Sequence, residues 1–542
     1  MKKDATATVT KESASVTSSL FTSEDIQAVR EYIKHTWQTL RRGHRQILSA
    51  AKDSKVEHKK GKAWPVYISR QEDLEQVSDT LETAMDGDFN RIRIETLPSE
   101  DETIEEHGLL YLPGDYVVPG GRFNELYGWD SYFIVRGLLQ DDEVDLAKSV
   151  TDQLLYQVKH YGAVLNANRT YFLGRSQPPL LASMVLDVYA ATQDIEWLSS
   201  TVPALTDYYQ YWVEDPHLDP RCDRNTGLSR FYASGDGPAP EVIVSECDEE
   251  GRTHFDRIKE YYREHKIEDY DVSLFYDKEK DELTELFYKG DRTMRESGFD
   301  PTNRFGPFSV DIVHYLPVCL NSLLYQMSKD MVAIYQHLQQ QSTEAASDVE
   351  NLSADESDRQ NINYSAEIAH WRQQAAELQH CINDYLWDED SGLYLDYHFP
   401  TQKRRYYEYA TTFYPLWTGL ASNEQAERVV ANLDKFEAPG GLRTSTHTSG
   451  NQWDDPFAWA PLQLIAVEGL HRYGYVEAAN RLAGRFITMT VQDFERIGSF
   501  VEKYDVDARS SDVSAGIQYG YSSNEIGFGW TNGVVLSLLA YL

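Results

Sequence analysis

The chain of 542 residues carries 51 Lys+Arg against 87 Asp+Glu, a formal net charge of −36. That sign repels phosphate backbones and anionic headgroups, so nucleic acid and membrane surfaces are excluded as partners. Hydrophobic residues at 41% and aromatics at 12% are enough for one large core. Residues 1–22 are rich in Ser, Thr, Ala and Lys and read as a disordered tail without an apolar export segment. From Ser23 a helix is expected, with Ile26, Val29, Ile33, Trp37 and Leu40 at alternating three- and four-residue steps. The basic stretch over residues 41–62 reads as a solvated helix face followed by a loop. Further helices are expected around 146–158, 181–193, 204–213 and 320–338, the last marked by Leu320, Leu324, Met327, Met331, Ile334 and Leu338. Ile368, Trp371, Ala375, Leu378, Ile382 and Tyr385 form the next stripe, with Ser365 placed to cap it. Helices near 424–434, 459–472, 475–490 and 531–541 complete the series, and 387–398 reads as a turn into a short extended segment.

Two stretches break this rhythm. Residues 241–292 are densely charged and Tyr-rich, an excursion over the core and a candidate lid. Residues 341–363 are polar and acidic and read as a flexible connection. Many helices without a parallel-strand pattern imply an all-α fold of paired helices, with 23–542 as a single domain. Cys222, Cys247, Cys319 and Cys381 are scattered, with neither metal spacing nor a disulfide framework. No apolar run approaches the ~18–20 residues of a membrane span. The sequence reads as that of a soluble, cytoplasmic chain, a monomer or weak oligomer, with no metal site.

Most carboxylates must be surface charges, so local setting is the useful filter. A carboxylate among glycines and aromatics is desolvated, and desolvation raises its pKa towards that of a working acid or base. Four stretches pass: PGGRFNELYGWDSYF (119–133) with Arg122, Glu125 and Asp130; RESGFDPTNRFG (295–306) with Arg295 and Asp300; QWDDPFAWAP (452–461) with Asp454 and Asp455; and GSFVEKYDV (498–506) with Glu502. Indole and phenol planes beside charged groups suit a polyhydroxylated ring, whose C–H faces stack while its hydroxyls bond. Asn166, Arg175 and Gln177 in LNANRTYFLGRSQPP (165–179) add hydroxyl-binding groups. Taken singly, each stretch is more often a helix-connecting turn or an ion-pair partner; four in one chain favour a site. Asp388, Asp390 and Gly392 mimic the start of a calcium loop, but the glycine falls at the fifth position and Phe399 stands at the twelfth. No GxSxG or HExxH motif occurs.

These blocks resemble the trehalases of glycoside hydrolase family 37, especially the cytosolic neutral type. PGGRFNELYGWDSYF and QWDDPFAWAP match the family's two signatures, and LNANRTYFLGRSQPP, RESGFD, EKYDV and GFGWTNG are similar to further blocks in the same order. The resemblance implies an (α/α)6 toroid with a few short extended segments, and hydrolysis of α,α-trehalose to two glucoses with inversion, without a cofactor. It makes Asp300 the general acid and Glu502 the general base. It assigns substrate contacts to Arg122, Trp129, Asp130, Asn166, Arg175, Ser176, Gln177, Arg295 and Gly298, and to Glu241 in a lid. Gln518 falls near a glutamate of some relatives. Ala239 stands where some relatives carry an arginine. The calcium-binding N-terminal extension of fungal relatives has no counterpart here, so no calcium control is expected. The alternatives are another (α/α)6 disaccharide-active enzyme of the phosphorylase kind, or a catalytically silent sugar-binding relative.

Overall fold

The computed structural model describes residues 22–542 apart from 57, 59–60, 100–101, 215–220, 244–250, 349–362, 515 and 522. The expected N-terminal tail, Thr22 excepted, therefore lies outside the described residues. Helix α1 (Ser23–Leu40) starts with a capping box: the Thr22 hydroxyl accepts from the Asp25 backbone N–H, and the Asp25 carboxylate takes the Thr22 N–H. Its buried face is Val29, Ile33, Thr36, Trp37 and Leu40, the stripe that the sequence marks.

Residues 41–117 depart from the all-helical expectation. Strand β1 (Trp64–Ile68), helix α2 (Leu74–Ala84), strand β2 (Ile92–Thr96) and strand β3 (Leu109–Leu110) form a small α/β layer. The central strand β1 pairs in parallel with both neighbours, Val66 opposite Ile94 and Leu109. It has its own apolar cluster, which includes Val66, Ile68, Val77, Leu81 and Ile92. The basic stretch is not one helix face: Arg41 and Arg42 pair with Val117 and Tyr116, and only Ile47–Ala51 is α-helical.

The remainder is built of helices α3 (Asp130–Gln140), α4 (Val144–Tyr161), α5 (Leu181–Thr192), α6 (Ile195–Val213), α7 (His254–Glu264), α8 (Glu285–Glu296), α9 (Val318–Asp348), α10 (Tyr364–Tyr385), α11 (Tyr414–Thr418), α12 (Asn423–Ala431), α13 (Ala460–Arg472), α14 (Val476–Ile497) and α15 (Gly529–Leu539). Helices α3, α5, α9, α11, α13 and α15 contact one another in that order, and α15 closes the ring against α3. Each of the partners α4, α6, α10 and α14 packs outside an inner helix, and α1 packs against α14 and α15. This is the (α/α)6 toroid. Inner helix α15 is buried all round: every residue from Gly529 to Leu538 is buried. Closure depends on glycine, because a Cβ on Gly533 would sit 2.0 Å from the Phe133 carbonyl oxygen and one on Gly137 would sit 2.5 Å from Gly533 Cα.

Two expectations about α9 and α10 change. Helix α9 continues through Asp348, so residues 341–348 are helix and not connection, and 349–362 lie outside the described residues. Asn363, not Ser365, caps α10, its side chain accepting from the Ala366 N–H. The excursion at 241–292 holds α7 and a separate apolar cluster of Ile258, Tyr262, Phe275, Tyr276, Leu283 and Phe287 with Phe308 and Val310; its last residues are the first turns of α8. Short ladders finish the fold: β4 (Tyr315–Leu316) with β5 (Tyr397–His398), and β6 (Phe457–Trp459) with β7 (Lys503–Asp505). Among the described residues, no helix is long and apolar enough to cross a membrane.

Candidate active site

One cavity opens where the segments preceding the inner helices converge. Trp129 and Asp130 begin α3, Gln177 precedes α5, Asp300 and Pro301 precede α9, Trp453 and Trp459 precede α13, and Glu502 and Tyr521 precede α15. The inner helices therefore turn their N-termini, the positive ends of their dipoles, towards the cavity. Arg122, Asn166, Arg175, Glu241, Arg295 and Gly298 line it as well. Two residues expected here are placed elsewhere. Ser176 is buried behind the wall, its hydroxyl donating to the Val164 carbonyl at 2.6 Å and its N–H to Glu296 at 3.0 Å. Extended backbone alternates its faces, so Arg175 and Gln177 point forward while Ser176 anchors them from behind. Gln518 is exposed and does not border the cavity; the carboxylate that meets Arg122 is Glu525, which accepts the Arg122 N–H at 3.0 Å.

The wall is aromatic. Trp129 packs 5.5 Å from Phe299 and 5.8 Å from Trp530, and Trp453 lies flat on Trp459 at 3.8 Å. Gly298 is required beneath this wall: its φ is +79°, and a Cβ there would stand 3.0 Å from the Trp129 ring.

Asp300 is held at the end of α8. Its carbonyl accepts from Gln452 Nε2, and the chain behind it is clamped by Asp454, which accepts from Thr302 Oγ1 and the Asn303 N–H at 2.9 Å each. Asp454 thus supports the loop from outside the cavity, and burial pushes its carboxyl up to about 6. Glu125 is likewise a supporting residue, paired with Lys55 and Arg169 at 2.9 Å. The Asp300 carboxyl is pushed up to about 6 by burial, against the pull of Arg295 and Arg175. Arg295 Nη1 is 3.6 Å from Asp300 Oδ2, while its Nε and Nη2 are held at 3.1 Å by the two oxygens of Asp291.

Glu502 is positioned by β7, whose Lys503 pairs with Trp459 of β6. Its N–H donates to the Glu525 carbonyl at 2.9 Å, and the Glu502 carbonyl accepts from Trp530 Nε1 at 3.0 Å. The Tyr521 hydroxyl donates to Glu502 Oε1, and Lys503 Nζ lies 3.6 Å from Oε2. Burial raises the Glu502 carboxyl, while Lys503, the Tyr521 hydrogen bond and Arg122 hold the rise back. Oε2 is buried and, among the described residues, accepts no hydrogen bond. Asp130 is buried as well: burial, then the negative charge of Glu502, raises it well above the usual carboxylate range.

Several groups on or directly behind the wall escape sequence reasoning. Lys503 donates to Gln452 Oε1 and the Tyr521 carbonyl at 3.0 Å, and burial lowers its ammonium to about 8. Gln452 thereby links the Glu502 segment to the Asp300 backbone. His254 and Arg257 reach in from α7. Arg175 pairs with Glu241, yet its Nε and Nη1 and Glu241 Oε2 remain buried without hydrogen-bond partners among the described residues. Donors and acceptors of this kind on a cavity wall are positioned for hydroxyl groups.

The chain belongs to the Trehalase family, whose model matches residues 2–542. It is 38% identical to the cytosolic neutral trehalase of Neurospora crassa over 77% of this chain and 57% of that one. Identity to the cytosolic neutral trehalase of Saccharomyces cerevisiae is 36%, over 86% of this chain and 61% of that one. The chain thus spans about three fifths of the length of these relatives. The solved structure of neutral trehalase Nth1 from Saccharomyces cerevisiae superposes with a TM-score of 0.74 at 31% identity, covering 96% of this chain and 94% of that one.

Proposed function

We propose that this chain hydrolyses α,α-trehalose to two glucose molecules with inversion at one anomeric carbon, in the cytosol and without a cofactor. The observation that carries the reading is the pair Asp300 and Glu502 on one cavity, each raised by burial and each held back by its own cations, Arg295 and Arg175 for Asp300 and Lys503 and Arg122 for Glu502. The glycosidic oxygen is a poor leaving group until protonated. Asp300, with its carboxyl pushed up to about 6, holds a proton in far more molecules near neutral pH than an ordinary Asp does, and can donate it as general acid. Glu502 has Oε1 engaged by Tyr521, and its other oxygen accepts the proton of the attacking water. Inversion needs the two carboxyls ~6.5–9.5 Å apart so that water fits between base and sugar. Arg122, Asn166, Arg175, Gln177, Glu241 and Arg295 bind the hydroxyls, and Trp129 stacks on a sugar face. Asp130, whose carboxyl burial and the charge of Glu502 raise, offers a further hydrogen bond. Residues 241–292 act as the lid that excludes water from the closed site.

Asp300→Asn and Glu502→Gln each cut kcat by several orders of magnitude with binding retained; a variant keeping more than about a tenth of wild-type kcat refutes that assignment. The assay runs in phosphate-free buffer, where a phosphorylase releases no glucose. Inversion predicts one α-glucose and one β-glucose per trehalose, read by proton NMR faster than mutarotation. Early release of α-glucose alone assigns Glu502 the role of nucleophile and overturns the mechanism.

A further inference from the structure

Away from the cavity, Asp311, His314 and His398 bring three ligand atoms within 4.8 Å of one another. Asp311 and His314 close the 3-10 segment Pro307–His314, and His398 comes from β5, placed opposite Tyr315 by the β4–β5 ladder. The histidines are far apart in sequence, so no spacing motif announces them. The Asp311 side chain is 5% exposed, and among the described residues no Lys or Arg pairs with it. A buried carboxylate needs a counter-charge. The two imidazoles are its only ion-pair partners among the described residues: His314 Nδ1 is 2.7 Å from Oδ1, and His398 Nε2 is 3.5 Å from Oδ2.

We propose that Asp311, His314 and His398 bind one zinc-class divalent cation, with water at the fourth position. Ligand type fits, since two imidazoles and a carboxylate form a zinc set with one open position. Spacing fits too. Ligands ~2.0–2.1 Å from a tetrahedral ion lie about 3.3–3.4 Å apart. The His398–Asp311 distance of 3.5 Å, to Oδ2, is close to that value, and the His314–Asp311 contact of 2.7 Å, to Oδ1, opens when an ion replaces the shared proton. The second shell is in place, because His398 Nδ1 lies 2.7 Å from Thr401 Oγ1, which fixes the ring with Nε2 towards Asp311. His314 is a quarter exposed, which gives the ion and its water an entry path. Phe308 and Val310 of the same segment belong to the apolar cluster under α7, so the ion ties the floor of that excursion to the β4–β5 ladder.

The test titrates the chelator-treated full chain with Co2+ and then competes with Zn2+. One cobalt per chain is expected, with the intense visible absorption of a four-coordinate ion, displaced by zinc, and with a rise in Tm. His398→Gln and Asp311→Asn weaken binding at least tenfold, whereas His380→Ala at an exposed histidine leaves it unchanged. X-ray absorption of the zinc-loaded wild-type chain shows two imidazole ligands, a readout that needs no variant to fold. Absence of stoichiometric cobalt binding by the wild type, a spectrum unaltered in a folded His398→Gln variant, or a zinc shell without two imidazoles overturns the proposal.

Discussion

Replacing Arg295 with glutamine moves the alkaline limb of the kcat/KM profile to higher pH. That limb marks the loss of the proton from the acid of the free enzyme, and Asp300, at about 6, sets it in the wild type. Arg295 Nη1 stands 3.6 Å from Asp300 Oδ2. Unit charges at that separation interact by about 1 kcal/mol at the dielectric of water and about 4–5 kcal/mol at an effective value of ~20. Because 30% of the Asp300 side chain opens on the cavity, the lower half of the range applies. At 1.36 kcal/mol per unit, the shift is about 1–2 pH units. Asp291 acts in the same direction, since it loses both hydrogen bonds to Arg295 and leaves an unpaired charge beside Asp300. The limb is therefore expected near about pH 7–8. Glucose release at subsaturating trehalose, followed from pH 4.5 to 9, reads it. Loss of a sugar contact lowers the height of the curve but not the position of the limb. A limb that stays in place or moves to lower pH refutes the assignment of Asp300 as the acid.

Lys503→Met removes the cation that most opposes the raised pKa of Glu502, so the acidic limb of kcat/KM moves up; an unmoved limb means that Lys503 does not act through Glu502. Gly298→Ala forces a left-handed φ on alanine and presses its Cβ on Trp129, lowering stability by about 1–2 kcal/mol in denaturant titration; wild-type stability counts against the tight wall. Asp300→Asn stabilises the fold at pH 7–8. The folded pKa of about 6 lies above the unfolded 3.8, so the penalty is absent below the unfolded value and complete above the folded one. The gain is up to about 3 kcal/mol at pH 8 and vanishes near pH 3; an equal gain at both refutes burial as the cause.

Much of the helical frame was legible in sequence. Stripes such as Ile368–Trp371–Ala375–Leu378–Ile382 mark faces that are buried in α10. The α/β layer was not, because Trp64–Ile68 is a short apolar run, and such a run does not reveal by periodicity whether it is strand or helix. The same limit applies to the site. Asp300, Glu502, Arg122 and Arg295 stand in glycine- and aromatic-rich blocks and line the cavity. Asp454 stands in an equally aromatic block, yet it faces Thr302 and Asn303 behind the wall. Lys503 and Tyr521 become site residues only because β6 pairs with β7 and the segment before α15 folds back on Glu502. Such contacts join loops distant in sequence, and no local pattern records them.

Three carboxyls in one cavity acquire different properties from the cations around them. Burial raises Asp130, Asp300 and Glu502 alike. Asp130 has no Lys or Arg among its main influences and feels the charges of Glu502 and Asp300, so nothing of opposite charge draws its carboxyl back down. Asp300 has Arg295 and Arg175, which draw it back to about 6, where it carries a proton that it can give up. Glu502 has Lys503 and Arg122 together with the Tyr521 hydroxyl, all favouring the carboxylate that a base must be. The proposed division of labour therefore rests on placement of cations more than on the carboxyls themselves. Moving one cation, as Arg295→Gln and Lys503→Met do separately, should shift one limb of the pH profile and leave the other in place.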